Sequence, residues 1–219
     1  MSATAPPHPL PEILRRAAAG SSPPPDGEIT VLPAPPGAFA AAVGFTAHLV
    51  VAADISDDKV RAQLGDADFG RWMSAPFLLW MAERLGTVAL SHDLVLAAVG
   101  AGEDPDLDLV EQPQSYEHRR VQRAASHRAD VRVFTAAGSQ GVLVLGRGLA
   151  GRWELAFEVE LAAQRRGLGR RLALAARALV GEEEPLFAQV APGNAASVRA
   201  VLAAGFRPIG SEVLFPRVG

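Results

Sequence analysis

Apolar and polar side chains alternate strictly along residues 152–161 of this 219-residue chain, which predicts a β-strand with one buried face. The apolar positions are Trp153, Leu155, Phe157, Val159 and Leu161, and the polar face holds Glu154, Ala156, Glu158 and Glu160. Alternation or short apolar runs predict further strands at residues 28–32, 45–52, 94–99, 131–135, 141–146 and 185–190. The run 94–99 is apolar throughout, as expected of a strand covered on both faces.

Helical spacing of apolar side chains predicts helices at residues 10–19, 57–64, 76–85, 167–180 and 194–204. In the fourth of these, Leu168, Leu172, Ala175 and Leu179 share one face. Residues 205–216 are predicted to form a closing hairpin. The order of strands and helices predicts an α/β (α+β) fold in which helices flank a mixed sheet.

The chain divides into three predicted parts. Residues 1–26 are a helix and a proline-rich linker, 27–104 an N-terminal α/β half, and 105–219 a C-terminal domain. The segment 102–112 has five acidic residues and no basic one, and we interpret it as a solvated joint, with an acidic docking surface as the alternative. The basic segment 117–132 lacks aromatic residues next to its arginines, so we expect a solvated helix face rather than a nucleic-acid site.

Composition excludes several classes of protein. With 49% hydrophobic and 21% charged residues the chain is neither disordered nor a membrane bundle. It has no cysteine, which excludes disulfides, thiol nucleophiles and thiolate metal sites. A net charge of -3 favours neither nucleic acid nor an anionic membrane. We therefore expect a soluble, cytoplasmic protein without a metal.

Two glycines, Gly167 and Gly169, lie where the predicted strand 152–161 passes into the next helix. Glycines at such a turn let a ligand approach the backbone, and the first amides of a helix are free to bind an anion such as pyrophosphate. Arg165, Arg166 and Arg170 add positive charge. A purely structural turn is the alternative. The spacing is not that of a dinucleotide-binding fold or a P-loop, because the third glycine and the Gly-Lys-Ser/Thr sequence are missing.

The positions Val159, Gln164, Gly167 and Gly169 resemble the acyl-CoA-binding signature of the GCN5-related N-acetyltransferase (GNAT) superfamily. A second block, residues 194–206, resembles the helix and the Gly-Phe pair that follow in that family. It begins at Asn194 and includes Ser197. The resemblance extends over residues 107–219. It implies an acyl-CoA N-acyltransferase-like fold, to which the N-terminal half is an addition.

The resemblance also implies a set of ligand contacts. The strand backbone would pair with the pantetheine arm of acetyl-CoA or another acyl-CoA, used as co-substrate. The glycine turn would bind the pyrophosphate, and the second block would lie near the thiol. The implied residues are Phe157, Glu158, Val159, Gln164, Arg165, Arg166, Gly167, Leu168, Gly169, Arg170, Asn194 and Ser197.

The sequence departs from the family where the chemistry would occur. The position of the usual tyrosine acid is Val201, the usual positions for a base are Leu155 and Trp153, and the usual proline is Leu161. Substitute bases are Glu158, Glu160 and His48. Their structural alternatives are a solvated or arginine-paired carboxylate face and a partly buried histidine whose hydrogen bonds are satisfied.

Two functions stay open at this point. One is a CoA-dependent N-acyltransferase acting on a small-molecule or protein amine, and the other is a non-catalytic acyl-CoA-binding sensor or scaffold. We expect neither nucleic acid nor membrane as a partner, and the sequence leaves a homodimer open. For the N-terminal half we hypothesise a degenerate second copy of the domain or a lid that shapes the substrate site.

Overall fold

The computed structural model describes residues 6–65, 69–136, 138 and 140–217. Its strands are β1 (Glu28–Leu32), β2 (Phe39–Phe45), β3 (His48–Ala52), β4 (Asp93–Val99), β5 (Leu109–Gln112), β6 (Ala129–Ala136), β7 (Gly141–Arg147), β8 (Trp153–Val159), β9 (Pro185–Val190) and β10 (Arg207–Pro216). Its α-helices are α1 (Pro9–Ala18), α2 (Asp57–Leu64), α3 (Phe69–Trp72), α4 (Ala75–Arg84), α5 (Arg119–Ala125), α6 (Leu168–Leu179) and α7 (Ala195–Ala203).

All these strands belong to one mixed sheet, in the order β1-β3-β2-β10-β4-β9-β8-β7-β6-β5. Helices cover both of its faces. The predicted fold class, a mixed sheet flanked by helices, is confirmed. No helix within the described ranges has the length and apolar character needed to cross a bilayer.

The alternation along β8 divides its side chains between two environments, as predicted. Leu155 is buried in the core cluster that includes Leu172 of α6, and Phe157 packs against the same cluster. Glu154 is buried on the opposite face among charged partners. The predicted alternation ends at Val159, because Leu161 lies in a short 3-10 turn, where it is exposed.

The prediction of one strand at residues 45–52 is wrong. The chain forms a hairpin there, in which β2 and β3 pair antiparallel and Phe45 lies opposite His48. Ala47 in the turn has a positive φ of 48°, a conformation more typical of glycine. Both strands are buried and apolar up to the turn, and neither glycine nor proline occupies residues 46–47 to mark it.

The predicted hairpin at residues 205–216 is also wrong, since residues 207–216 form the single strand β10. β10 pairs antiparallel with β2 on one edge and with β4 on the other. Gly210 lies at an irregularity in the pairing, where a Cβ atom would collide with the carbonyl oxygen of Gly44. The place of a second hairpin strand is taken by β4, which comes from the N-terminal half.

The two predicted halves therefore share one sheet, because β4 pairs with β9 as well as with β10. Leu96 of β4 belongs to the same core cluster as Leu155 and Leu172. The division at residue 104 and the copy and lid hypotheses remain predictions.

The joint at residues 102–112 is more ordered than predicted. The amides of Gly102 and Glu103 donate to the carbonyls of Val180 and Ala178, and so cap the end of α6. Leu107 is buried in the core, and the last four residues of the segment form the unpredicted edge strand β5. Most of the acidic side chains face solvent, as expected.

Candidate active site

Strands β8 and β9 separate soon after they begin to pair. Their parallel pairing covers three positions and ends at Leu155 opposite Ala188. β8 continues to Val159 and pairs with β7 over its whole length. The edge of residues 156–159 that faces away from β7 therefore lacks a strand partner, and this leaves backbone groups for a ligand of extended, amide-containing chemistry.

The turn after β8 leaves a row of backbone N–H groups free. Gln164 donates its side-chain amide to the carbonyl of Val159 at 3.1 Å. Arg165 and Gly167 both have positive φ, 62° and 79°. Among the described residues, none accepts a hydrogen bond from the amides of residues 165–170. Together with the positive end of α6, these amides can bind an anion.

The two glycines of the turn have different roles. A Cβ atom on Gly167 would meet nothing within 4 Å, so this glycine serves the left-handed backbone at the cap of α6. A Cβ on Gly169 would lie 3.3 Å from the Phe157 ring and 3.5 Å from Ala200. The absence of a side chain at Gly169 thus lets α6 pack closely on β8 and α7.

The arginines of the turn are not equivalent. The Nε of Arg170 donates to the carbonyl of Ala203 at 3.0 Å, which directs this side chain towards the end of α7. Arg165 and Arg166 are exposed next to the free amides. These two are the cations of the motif that a phosphate could reach without breaking a contact.

A cavity of about 280 Å³ opens where β8 and β9 separate. Asn194 and Ser197 line it at the start of α7, where the Asn194 side chain accepts from the Ser197 amide at 3.2 Å. Its charged and titratable lining residues are Asp93, Arg120, Arg123, His127, Arg128, Glu154 and Glu212. Strand β4 thus brings the N-terminal half into the cavity wall.

A buried charge network lies beneath the cavity. Arg152 forms a two-pronged ion pair with Glu212 and also contacts Glu154 at 2.9 Å, while Arg128 pairs with Glu154 at 3.0 Å. Burial acts to raise the pKa of Glu154, but Arg152 and Arg128 overcome this and hold the pKa below its usual range. Glu154 is therefore an ion held by two guanidinium groups, and Glu212 is paired with Arg152.

Asp93, at the start of β4, is a residue that the sequence interpretation missed. It is half-buried in the cavity wall, and the hydroxyl of Ser91 lies 3.3 Å from its carboxylate. Burial raises the pKa of Asp93, Glu212 adds to this effect, and Arg123 opposes it. The only sequence signal was an acidic residue bordering an apolar run, which reads as a strand boundary.

Gln189 of β9 was missed as well. Its Nε2 donates to Glu154 at 2.7 Å and to Glu212 at 3.1 Å. Since only the amide nitrogen can donate to two carboxylates, the orientation of this side chain is determined. No described residue donates to its Oε1, and this oxygen is not a buried unpaired atom, so it is open to the cavity.

The substitute bases named from the sequence do not come together. Glu158 pairs with Arg119 at 3.0 Å and with Arg120 at 2.8 Å. Burial acts to raise the pKa of Glu158, but Arg119 and Arg120 together outweigh it and hold the pKa below its usual range, which disfavours proton transfer to this carboxylate near neutral pH. Glu160 lies beyond the end of β8 and is exposed. The idea that the carboxylates of this strand raise one another's pKa is therefore not supported.

His48 lies far from the cavity, since four strands separate β3 from β8. Its Nδ1 is 2.8 Å from Asp26 and its Nε2 is 3.0 Å from the hydroxyl of Thr30. His48 is thus buried with a hydrogen-bond partner at each ring nitrogen, as the structural alternative expected. Val201, at the place of the usual acid, is fully buried.

Comparisons with known proteins return remote structural likenesses. No family model matches the sequence, and no similar curated protein is found. A GCN5-related N-acetyltransferase from Kribbella flavida is 18% identical, with a TM-score of 0.42 over 66% of this chain and 65% of that one. An acetyltransferase of the GNAT family from Colwellia psychrerythraea is 12% identical, with a TM-score of 0.39 over 66% and 63%.

A GCN5-related N-acetyltransferase from Sphaerobacter thermophilus is 16% identical, with a TM-score of 0.40 over 67% of this chain and 59% of that one. The aligned regions thus span less than two thirds of each of these three chains. The fold class is assigned from the sheet and its connections, which stand independently of these likenesses.

Proposed function

We propose that this protein is a CoA-dependent N-acyltransferase that moves an acyl group, acetyl in the first instance, from acyl-CoA to an amine. The observation that carries the proposal is the continuity of two features: the unpaired edge of β8 leads directly into the free amides of residues 165–170. An extended ligand that has amides in one part and phosphates in the next fits this order.

The residues present fit the pantetheine arm and the pyrophosphate of CoA. The open backbone from Phe157 to Val159 would hydrogen-bond the pantetheine amides as a neighbouring strand does. The amides from Arg165 to Arg170, at the positive end of α6, would hold the pyrophosphate, and the open space at Gly167 lets it approach.

The cavity lies at the other end of this path. Asn194 and Ser197 line it where the strands part, so they would contact the thiol end of the ligand. When bound, acyl-CoA supplies an acyl carbonyl, as a thioester, that an amine can attack. The chain's own contribution is to fix the direction of the pantetheine arm and to hold the amine in the cavity, which reduces the entropic cost of bringing the two together.

Binding of CoA is tested by calorimetry on the full chain with acetyl-CoA, CoA and dephospho-CoA. Gly167→Glu places a carboxylate among the free amides, and we expect it to weaken binding of all three at least 30-fold. Gly86→Glu is the matched control, because Gly86 also has a positive φ, 63°, and open surroundings, but follows α4. Thermal stabilisation of about 2.7 kcal/mol at a hundredfold excess over Kd is the second readout.

Two results would contradict the proposal. One is the absence of binding by any of the three CoA compounds, and the other is equal loss of binding in both glycine variants. We expect dephospho-CoA to bind within a few-fold of CoA, because the proposed contacts are with the pantetheine arm and the pyrophosphate.

A second candidate function is a non-catalytic acyl-CoA sensor or scaffold. It is favoured by one observation, the burial of Val201 at the place where related enzymes carry an acid. Release of free thiol from acetyl-CoA in the presence of a primary amine distinguishes the two. Saturable release that depends on the amine supports the enzyme, and tight binding without release supports the sensor.

A further inference from the structure

One side of α5, and of the turn that follows it, faces the cavity where β8 and β9 separate. The cavity-lining residues of this stretch are Arg120, Arg123, Ala124, His127 and Arg128, which follow one another at the spacing of a single helical face. The amides of residues 127 and 128 both donate to the carbonyl of Ala124, so helical bonding continues past the end of α5. The basic segment that was predicted to be a solvated helix face therefore also forms one wall of the cavity.

Two side chains of this wall have no partner for their N–H groups. Arg120 and Arg128 are each paired with a glutamate of β8. Among the described residues, no group forms a hydrogen bond or an ion pair with the guanidinium of Arg123 or with the ring nitrogens of His127. The cavity wall thus keeps one unpaired cation and one free imidazole next to each other.

Arg123 and His127 are placed to bind one ligand group together. They are four residues apart on a helical face, where Cβ atoms are about 5–6 Å from each other. The His127 ring packs against the ring of Phe39 on β2, with centroids 5.1 Å apart, and this contact restrains the imidazole at the cavity. A guanidinium offers five N–H donors and an imidazole at least one, so the pair can donate to both oxygens of a carboxylate.

The other charges of the cavity favour a ligand with a single negative charge. Glu154 and Glu212 are both paired with arginines, whereas Asp93 accepts from the Ser91 hydroxyl at 3.3 Å and has no ion pair in the described parts of the chain. Burial raises the pKa of Asp93 and the positive charge of Arg123 opposes this effect, so the two groups act on each other across the cavity. Arg123 can balance a monoanion, but a dianion would leave one charge facing Asp93 without compensation.

The remaining wall is mostly apolar and the space is small. Leu90, Leu155, Phe157 and Val190 line it together with the polar groups already described. A volume of about 280 Å³ is at the lower end of the range for small-molecule sites. The cavity therefore fits a small molecule with a short apolar body, or the terminal residue of a peptide.

We propose that the acceptor substrate is a small amine that also carries a carboxylate, and that Arg123 and His127 bind this carboxylate. The inference rests on the proposed function and names its substrate class. Binding of the carboxylate at α5 directs the amine away from α5, towards the gap between β8 and β9 where Asn194 and Ser197 lie. Arg123 and His127 are thus specificity-determining residues, which contact the substrate at a distance from the reacting nitrogen.

The first test measures binding of the carboxylate without an amine and without CoA. Sodium butyrate and butyramide, which have the same shape and differ in charge, are titrated at low salt into the full-length protein and followed by backbone amide chemical shifts. We expect saturable shifts around the cavity with butyrate, and binding of butyramide weaker by about tenfold or more, because it has no charge to pair with Arg123. n-Propyl phosphate, a dianion of similar size, is the third probe and should bind more weakly than butyrate.

Three variants locate the binding site. Arg123→Gln should weaken butyrate binding by about tenfold or more. His127→Phe retains an aromatic ring against Phe39 but removes the N–H donors, and should weaken binding about threefold. Arg71→Gln should leave binding unchanged. It is the matched control, because Arg71 is also an exposed arginine without an ion pair among the described residues, but lies on α3, which packs on β3.

Three results of this test would overturn the inference. They are equal binding of butyrate and butyramide, tighter binding of propyl phosphate than of butyrate, and equal effects of Arg123→Gln and Arg71→Gln on butyrate binding.

The second test measures thiol release from saturating acetyl-CoA with 4-aminobutyrate and with 4-aminobutanamide, its uncharged counterpart. We expect kcat/KM to be higher for the carboxylate by about tenfold or more. Arg123→Gln should remove this preference mainly by raising the KM for 4-aminobutyrate, and Arg123→Lys should restore part of it, because a lysine keeps the charge and loses the forked geometry. A wild-type preference for the amide, or an unchanged preference in Arg123→Gln, would overturn the inference.

The two proposals fail separately in these experiments. Acetyl-CoA binding to each variant is measured by calorimetry, and neither Arg123 nor His127 belongs to the proposed CoA contacts. Intact acetyl-CoA binding and thiol release without a preference for the carboxylate would overturn the substrate class alone. Absence of acetyl-CoA binding in the wild type would contradict the proposed function.

Discussion

Asp93 and Glu212 lie directly opposite each other on adjacent antiparallel strands, and only Glu212 is held by a guanidinium group. Directly opposed residues have Cβ atoms about 4.5–5.5 Å apart, and like charges at such positions repel. Burial raises the pKa of Asp93, and the neighbouring carboxylate of Glu212 adds to this effect. The ionised form of Asp93 therefore costs the fold some stability.

Asp93→Asn should raise the free energy of unfolding at pH 7. A carboxyl whose pKa is higher in the folded than in the unfolded state destabilises the fold once the pH exceeds both values. As the pH falls below about 4, Asp93 is protonated in both states and the gain should disappear. Urea unfolding of the wild type and the variant at pH 7, 5 and 3.5 measures this. A gain that is the same at every pH would contradict the ionisation argument.

Arg152→Met should lower the free energy of unfolding by about 3–5 kcal/mol, because it leaves Glu212 and Glu154 buried without their shared cation. Arg61→Met is the control. Arg61 pairs with Asp57 on the exposed surface of α2, so its loss should cost under about 1 kcal/mol. The free energy of unfolding of both variants is measured by urea unfolding. Similar decreases in the two would mean that the buried network contributes little to stability.

Gly148→Ala should destabilise the protein by about 1–3 kcal/mol, since the added methyl group would collide with the carboxylate of Glu154. That carboxylate cannot move away freely, because Arg152, Arg128 and Gln189 all hold it. The matched substitution Gly193→Ala meets open space and should change stability by under about 0.5 kcal/mol. The difference between the two melting temperatures is the measurement, and a difference near zero is the contrary result.

Residues 105–219 expressed alone should not reach the native state. They include β9 and β10, but β9 loses β4 along one edge, and β10 loses β4 and β2 along both. We expect weak near-ultraviolet circular dichroism and no acetyl-CoA binding, with recovery of both when residues 1–104 are coexpressed. A folded fragment that binds acetyl-CoA would instead show that the N-terminal half is dispensable for the fold.

Those parts of the structure that depend on nearby residues could be predicted from the sequence. The alternation in β8, the glycine turn and the apolar face of α6 each involve residues within a few positions of one another, and the structure has all three. The position of β4 between β9 and β10 could not be predicted, because strand pairing across about 100 residues leaves no local pattern. The turn at Ala47 was missed because its flanking strands are apolar on both faces.

The candidate site divides in the same way. Its proposed CoA contacts lie in two short blocks of sequence, 157–170 and 194–197, whereas Asp93 and Gln189 have their neighbours on other strands. In the sequence, Asp93 precedes an apolar run and Gln189 lies within another. Neither position by itself indicates a functional site. The orientation of Gln189 and the environment of Asp93 depend on Glu154 and Glu212, which are distant in the sequence and become neighbours only in the fold.

The insertion of β4 between β9 and β10 also determines when the sheet can be completed during synthesis. β4 ends at Val99, whereas β9 begins at Pro185 and β10 at Arg207, so both edges of this apolar strand are unpaired until these later residues have been synthesised. Pairing over such sequence distances is slow, and an exposed apolar strand is prone to associate with other chains. We therefore expect newly made copies of this protein to be most prone to association in the interval between the synthesis of β4 and that of β10.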